Sequence, residues 1–140
     1  MKLIPKFTLN FHGYWRDCNK SGVPAESGVY LVYRCMYNAD SDTVTLHELI
    51  YIGKSVDVNN RLQQHEQDQD FDGQCSKNET LCYSFAPVEL AHLDIVENAL
   101  IFAQKPRLNE NLKDHYNHHH ASFVLLGRCA LMNYTDFKIG

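Results

Sequence analysis

Three sets of side chains in this 140-residue chain offer more chemistry than packing requires. Glu97 falls within about 40° of Leu90, Leu93 and Ile101 when residues 89–104 are wound as a helix. A carboxylate on that apolar stripe is protonated, paired or held against a cation, unless it stands at the rim and reaches water. Arg61 and His65 are four residues apart, one above the other on a helix face, and form either a joint cationic surface or an ordinary solvated pair. Tyr30 and Tyr51 lie deep in apolar runs, where each hydroxyl needs a partner that a core hydrogen bond is enough to provide.

These residues need elements to position them. "GVYLVYRCMY" from Gly28 is rich in β-branched and aromatic residues and reads as a strand, "NADSD" is turn chemistry, and "TVTLHELIYIG" is a second strand. The pair reads as a long antiparallel hairpin. Gly53 ends it, and Ser55 or Asp57 can cap a helix running to about Gln67 with Val58, Leu62 and His65 on one side. "ETLCYSFAPV" is a third strand, stopped at Pro87. Residues 89–104 form the clearest helix, which Pro106 keeps from extending far. Residues 1–27, with Gly13, Gly22 and Pro24, read as irregular structure or a short edge element. The tail from Lys113 has a polar start and an apolar run able to hold another strand or two.

Length and a 44% hydrophobic content suit one domain with its own core. Apolar runs fall short of the roughly 20 residues that span a bilayer, and Pro5 and Lys6 interrupt the place of a signal-peptide centre, so a cytoplasmic protein without membrane partners is expected. Five cysteines with no Cys-x-x-Cys pair argue against a disulfide framework or zinc knuckle and for reduced thiols. The net charge of −4 counts against phosphate binding, but it is local: without Glu66, Asp68, Asp70 and Asp72, acids and bases number thirteen each. "GKS" at 53–55 matches the end of a nucleotide-binding loop, yet the glycine that loop needs five residues earlier is Glu48, which removes nucleotide hydrolysis.

The chain resembles the GIY-YIG nuclease domain. "GVY" at Gly28 to Tyr30 stands for the first motif with valine for isoleucine, and "YIG" at Tyr51 to Gly53 matches the second. Arg61, with His65 one turn on, matches the catalytic helix; Glu97 matches the metal-binding carboxylate; Asn109 in "KPRLNE" matches the asparagine after it. The resemblance implies an α+β fold with a small three-stranded antiparallel sheet flanked by helices, a β-β-α-β-α core at 28–110 with extensions at 1–27 and 111–140. It also implies hydrolysis of DNA phosphodiester bonds with one divalent metal, Mg²⁺ or Mn²⁺.

In that reading Glu97 holds the metal, Arg61 binds the scissile phosphate with its planar fork of donors, and Lys54 touches substrate phosphate. Tyr30 and His65 share proton handling, with Tyr51 close by; a free tyrosine has a pKa of about 10 and needs positive charge nearby, whereas histidine titrates near about 6.5. Asn109 fixes phosphate or neighbouring side chains. The 20 residues between Tyr30 and Tyr51 make a hairpin longer than most of the family carries, nearer the restriction-enzyme branch. With no basic stripe, grip on DNA has to come from the flanking segments, from a homodimer partner or from a separate DNA-binding subunit. A binding module without catalysis, or an enzyme acting on RNA or branched DNA, are the alternatives. His115, His118, His119 and His120 form either a polar loop or, if His115 and His119 share a helix face, a second metal site.

Overall fold

The structure, a computed structural model, describes residues 4–64 and 71–140. Strands β1 (Lys6–Arg16), β2 (Gly28–Asn38), β3 (Thr43–Ser55), β4 (Thr80–Pro87), β5 (Ala121–Gly127) and β6 (Asp136–Ile139) form one sheet in the order β3-β2-β4-β1-β5-β6. Every neighbouring pair is antiparallel except β1 with β5. Helix α1 (Val58–Gln64) follows β3, and α2 (Leu93–Gln104) follows β4 after a 3₁₀ turn at Leu90–His92.

The small three-stranded sheet flanked by helices is therefore corrected to a six-stranded mixed sheet, curled into a half-barrel, in which strands predominate. The supposed extensions supply three of its strands. Far from being irregular or at an edge, β1 is paired on both sides, His12 opposite Phe85 on β4 and Phe7 opposite Phe123 on β5. The cause is an alternation of Phe7, Leu9 and Phe11 against Lys6, Thr8 and Asn10, which puts Leu9 and Phe11 in the core. A sheet that ended at β4 would also leave that strand's backbone donors and acceptors unpaired.

Side-chain alternation along β2 divides the core between the two faces. Val29, Leu31 and Tyr33 pack with Ile52 and with Val96, Leu100 and Ile101 of α2. Tyr30 and Val32 pack on the other face with Ile50, Phe71, and Val58 and Leu62 of α1. The expectation that all five cysteines are reduced is also corrected: Cys35 and Cys82, both fully buried, are joined in a disulfide between β2 and β4. Strand pairing brings their Cα atoms to 6.3 Å across 47 positions of sequence, a proximity that spacing alone does not display. No helix among the described residues is long and apolar enough to cross a membrane.

Candidate active site

The hairpin of β2 and β3 sets Tyr30 directly opposite Gly53. A β-carbon on Gly53 would stand 2.3 Å from the Tyr30 hydroxyl oxygen and 2.4 Å from Cζ, so the ring occupies the space that only glycine leaves. At the other motif glycine, Gly28, a β-carbon would stand 2.2 Å from the Ala86 carbonyl oxygen of β4. Both glycines thus permit the close strand contacts that seat Tyr30, which is 1% exposed. The Tyr51 ring lies 6.3 Å from that of Tyr30 and 5.2 Å from Phe71, centroid to centroid.

Helix α1 brings Arg61 to this point. Asp57 caps it, its Oδ1 accepting the Asn60 N–H at 3.0 Å, while the buried Val58 and Leu62 anchor it to the sheet. Arg61 donates to the Tyr30 hydroxyl. Burial pushes the pKa of Tyr30 well above the ordinary tyrosine value, Tyr51 and Glu97 add to the rise, and Arg61 opposes it. Tyr30 is therefore a protonated hydroxyl at neutral pH. His65 lies outside the described residues.

Glu97 approaches from α2 with its side chain 15% exposed. Leu93 and Ile101, its neighbours on the stripe, are buried, whereas Leu90 is 65% exposed, so the carboxylate stands where the core stripe meets solvent. Lys54, at the end of β3, has its Nζ 3.8 Å from Glu97 Oε1 and is also paired with Asp94. Burial raises the Glu97 pKa above the ordinary carboxylate value despite the opposing charge of Lys54. Beside it opens a cleft of about 440 Å³ lined by Tyr51, Glu97, Asn109 and Leu112.

Asn109 is buried and its amide is fully engaged with one residue: Oδ1 accepts the Ile52 N–H at 3.0 Å and Nδ2 donates to the Ile52 carbonyl at 2.9 Å. The Leu108 N–H donates to the Ile50 carbonyl at 3.0 Å. Residues 108–109 thereby stand in for a strand along the open edge of β3 and hold "YIG" in place. Lys54 likewise serves two carboxylates within the protein.

Asn98, which sequence reasoning missed, extends this wall. It is buried; its amide donates to the carbonyls of Leu112 at 3.3 Å and His115 at 2.8 Å and accepts the Asn117 N–H at 3.1 Å. Nothing in the sequence distinguishes this residue from an ordinary helix asparagine. The histidines beyond it are exposed and outside any helix, which corrects the shared helix face considered for His115 and His119. Among the described residues no group of three or more His, Cys, Asp or Glu side chains is placed to hold a metal ion.

An all-protein metal cage is therefore not formed by the described residues. The donor set does fit a hard cation such as Mg²⁺, which keeps several waters and takes one or two carboxylates plus a substrate phosphate. Glu97 supplies a desolvated carboxylate beside an open cleft, and such a group is stabilised by a cation. No protein-family model, curated protein or solved structure matches the chain.

Proposed function

We propose that the chain is a divalent-metal-dependent endonuclease of the GIY-YIG type that hydrolyses DNA phosphodiester bonds. One observation carries the reading: Arg61 of α1 donates to Tyr30 of β2, over Gly53 of β3, within the electrostatic reach of Glu97 of α2. Three consecutive elements and the more distant α2 meet around one guanidinium, a hydroxyl and a carboxylate.

In this reading Arg61 binds the scissile phosphate and neutralises the charge that grows as water adds to phosphorus and a P–O ester bond breaks. Tyr30, kept protonated by burial, orients the water, with Tyr51 forming the neighbouring wall. His65 accepts the water's proton, and the departing oxygen is protonated from solvent. Glu97 holds Mg²⁺ or Mn²⁺, which when bound supplies Lewis-acid charge at the phosphate. Lys54 contributes positive charge beside Glu97, and Asn109 positions the β3 edge. DNA is the partner, with added grip from a second copy or a separate DNA-binding subunit. The cytoplasm is the proposed compartment; complete burial of both sulfur-bearing residues restricts the access that thiol exchange at Cys35–Cys82 requires.

The contact between Lys54 and Glu97 favours a second reading, a nucleic-acid-binding module in which the lysine is the carboxylate's permanent cation. Cleavage of supercoiled plasmid with Mg²⁺ or Mn²⁺, beside Arg61→Ala and Glu97→Ala and a panel of RNA and branched DNA, separates the two. Metal-dependent nicking lost in both variants supports the endonuclease. Nucleic-acid binding without cleavage, unaltered by Glu97→Ala, supports the module.

A further inference from the structure

The chain's five arginines divide by partner. Arg34 and Arg107 are tied to Glu48 and Glu79, and Arg61 donates to Tyr30. The other two, Arg16 and Arg128, both line a cleft of about 490 Å³ at the far end of the hairpin, together with Tyr14, Asn19 and Tyr37. Among the described residues neither forms an ion pair with a carboxylate. Asp42, the one acid among the described residues that line the cleft, accepts the Tyr37 hydroxyl at 2.8 Å.

Arg16 is held in a defined pose, its guanidinium carbon 3.6 Å above the centre of the Tyr37 ring. Stacking occupies the faces of the guanidinium and leaves its N–H donors, which lie in the plane, available to an acceptor. Asn19 and Thr43 line the same cleft with an amide and a hydroxyl. Two planar cations with neutral donors beside them suit a small oxyanion, and the fork geometry matches phosphate.

We infer that this cleft is a second anion site, which takes a phosphate of a nucleic-acid backbone at a distance from the bond that is cut. Only the choice of nucleic acid as the phosphate's source rests on the endonuclease reading. Tyr37 is seven residues beyond Tyr30 on β2, roughly 23 Å along the strand. By the alternation along β2, Tyr37 stands on the face of Val29 and Tyr33 and Tyr30 on the other, so one phosphate cannot occupy both places, and a nucleic acid that reaches both meets positive charge on each face of the sheet. The site provides part of the grip on DNA that the chain's composition does not display.

The test uses the full chain with ¹⁵N-labelled arginine side chains. Inorganic phosphate, and separately duplex DNA of about ten base pairs or more with a chelator present, should shift the Nε–H signals of Arg16 and Arg128. In Arg16→Gln/Arg128→Gln the slope of log affinity for the duplex against log salt should weaken by about 1.8, since each lost phosphate contact is worth about 0.9. Unchanged thermal melting controls for folding, and Arg16→Lys/Arg128→Lys should restore most of the slope. Unmoved arginine signals with both probes, or an unchanged slope in the glutamine variant, overturn the site and leave the endonuclease reading intact. Shifts with phosphate but not with DNA overturn the backbone as its source. Shifts with both in a protein that cuts no substrate uphold the site and overturn the endonuclease.

Discussion

Glu79 and Glu97 are both largely withdrawn from solvent, with side chains 7% and 15% exposed, yet the protein treats them oppositely. Glu79 accepts the Ser76 N–H at 2.8 Å, is paired with His47, and takes both oxygens to Arg34 Nη1 at 2.8 Å. These partners, the Ser76 N–H foremost, hold its pKa down at about 2. Arg34 continues to Glu48 and on to Arg107, which closes a network on the β3 side of the sheet. Among the described residues Glu97 is paired only with Lys54, itself shared with Asp94, and its pKa is raised by burial. A carboxylate satisfied by its neighbours is part of the scaffold. One left short of charge beside an open cleft has room for a cation that the fold does not supply.

The largest effects should separate the two residues by function. Glu97→Ala and Arg61→Ala should each lower the rate of DNA cleavage by about 10²–10³-fold or more, the scale of losing a main electrostatic stabiliser, while Glu79→Gln should leave the rate per folded molecule near that of the parent. Plasmid cleavage at matched folded concentrations reads all three.

Stability should divide the other way. Glu79→Gln leaves Arg34 without its principal carboxylate and is expected to cost about 1–3 kcal/mol in urea unfolding. Gly53→Ala forces a methyl group against the Tyr30 ring and should cost a similar 1–3 kcal/mol, with loss of cleavage because Tyr30 must shift. Asn109→Ala removes two hydrogen bonds from the edge of β3 and is expected to cost about 1–3 kcal/mol.

The smallest effect is in the pH dependence. Because Glu79 is depressed, its contribution is complete above the ordinary carboxylate pKa and is lost as pH falls toward about 2. Glu97 is raised, so between its ordinary and its raised value the folded state binds the extra proton and stability declines as pH rises. Glu97→Gln should therefore raise the unfolding midpoint slightly at neutral pH and leave it unchanged in acid, and cleavage by the parent should increase as pH rises through the Glu97 titration. Unfolding curves at several pH values check both signs.

Much of this arrangement is legible in the sequence. The β-branched and aromatic runs of β2, β3 and β4 and the stripe of α2 announce themselves, and "GVY" and "YIG" mark the glycines that seat Tyr30. The rest depends on contacts that local pattern does not encode. The alternation of Phe7, Leu9 and Phe11 identifies β1 as a strand, but its place between β4 and β5 is fixed by backbone pairing with residues 66 or more positions away. The Cys35–Cys82 bridge, across 47 positions, and the hydrogen bonds of Asn98, across 14 to 19, also lie beyond local pattern. Sequence spacing places Glu97 near an apolar stripe, whereas its shortage of counter-charge becomes visible only beside Lys54 and Asp94.

The most direct test of the central claim is paramagnetic broadening of the backbone amide signals by Mn²⁺. In the parent protein and in Arg61→Ala, Mn²⁺ should broaden the amides of Tyr51, Lys54 and Asn98, which surround Glu97, and in Glu97→Gln that broadening should disappear. Equal broadening at those amides in Glu97→Gln, or none there in the parent protein, would contradict the assignment of Glu97 as the carboxylate that awaits a metal.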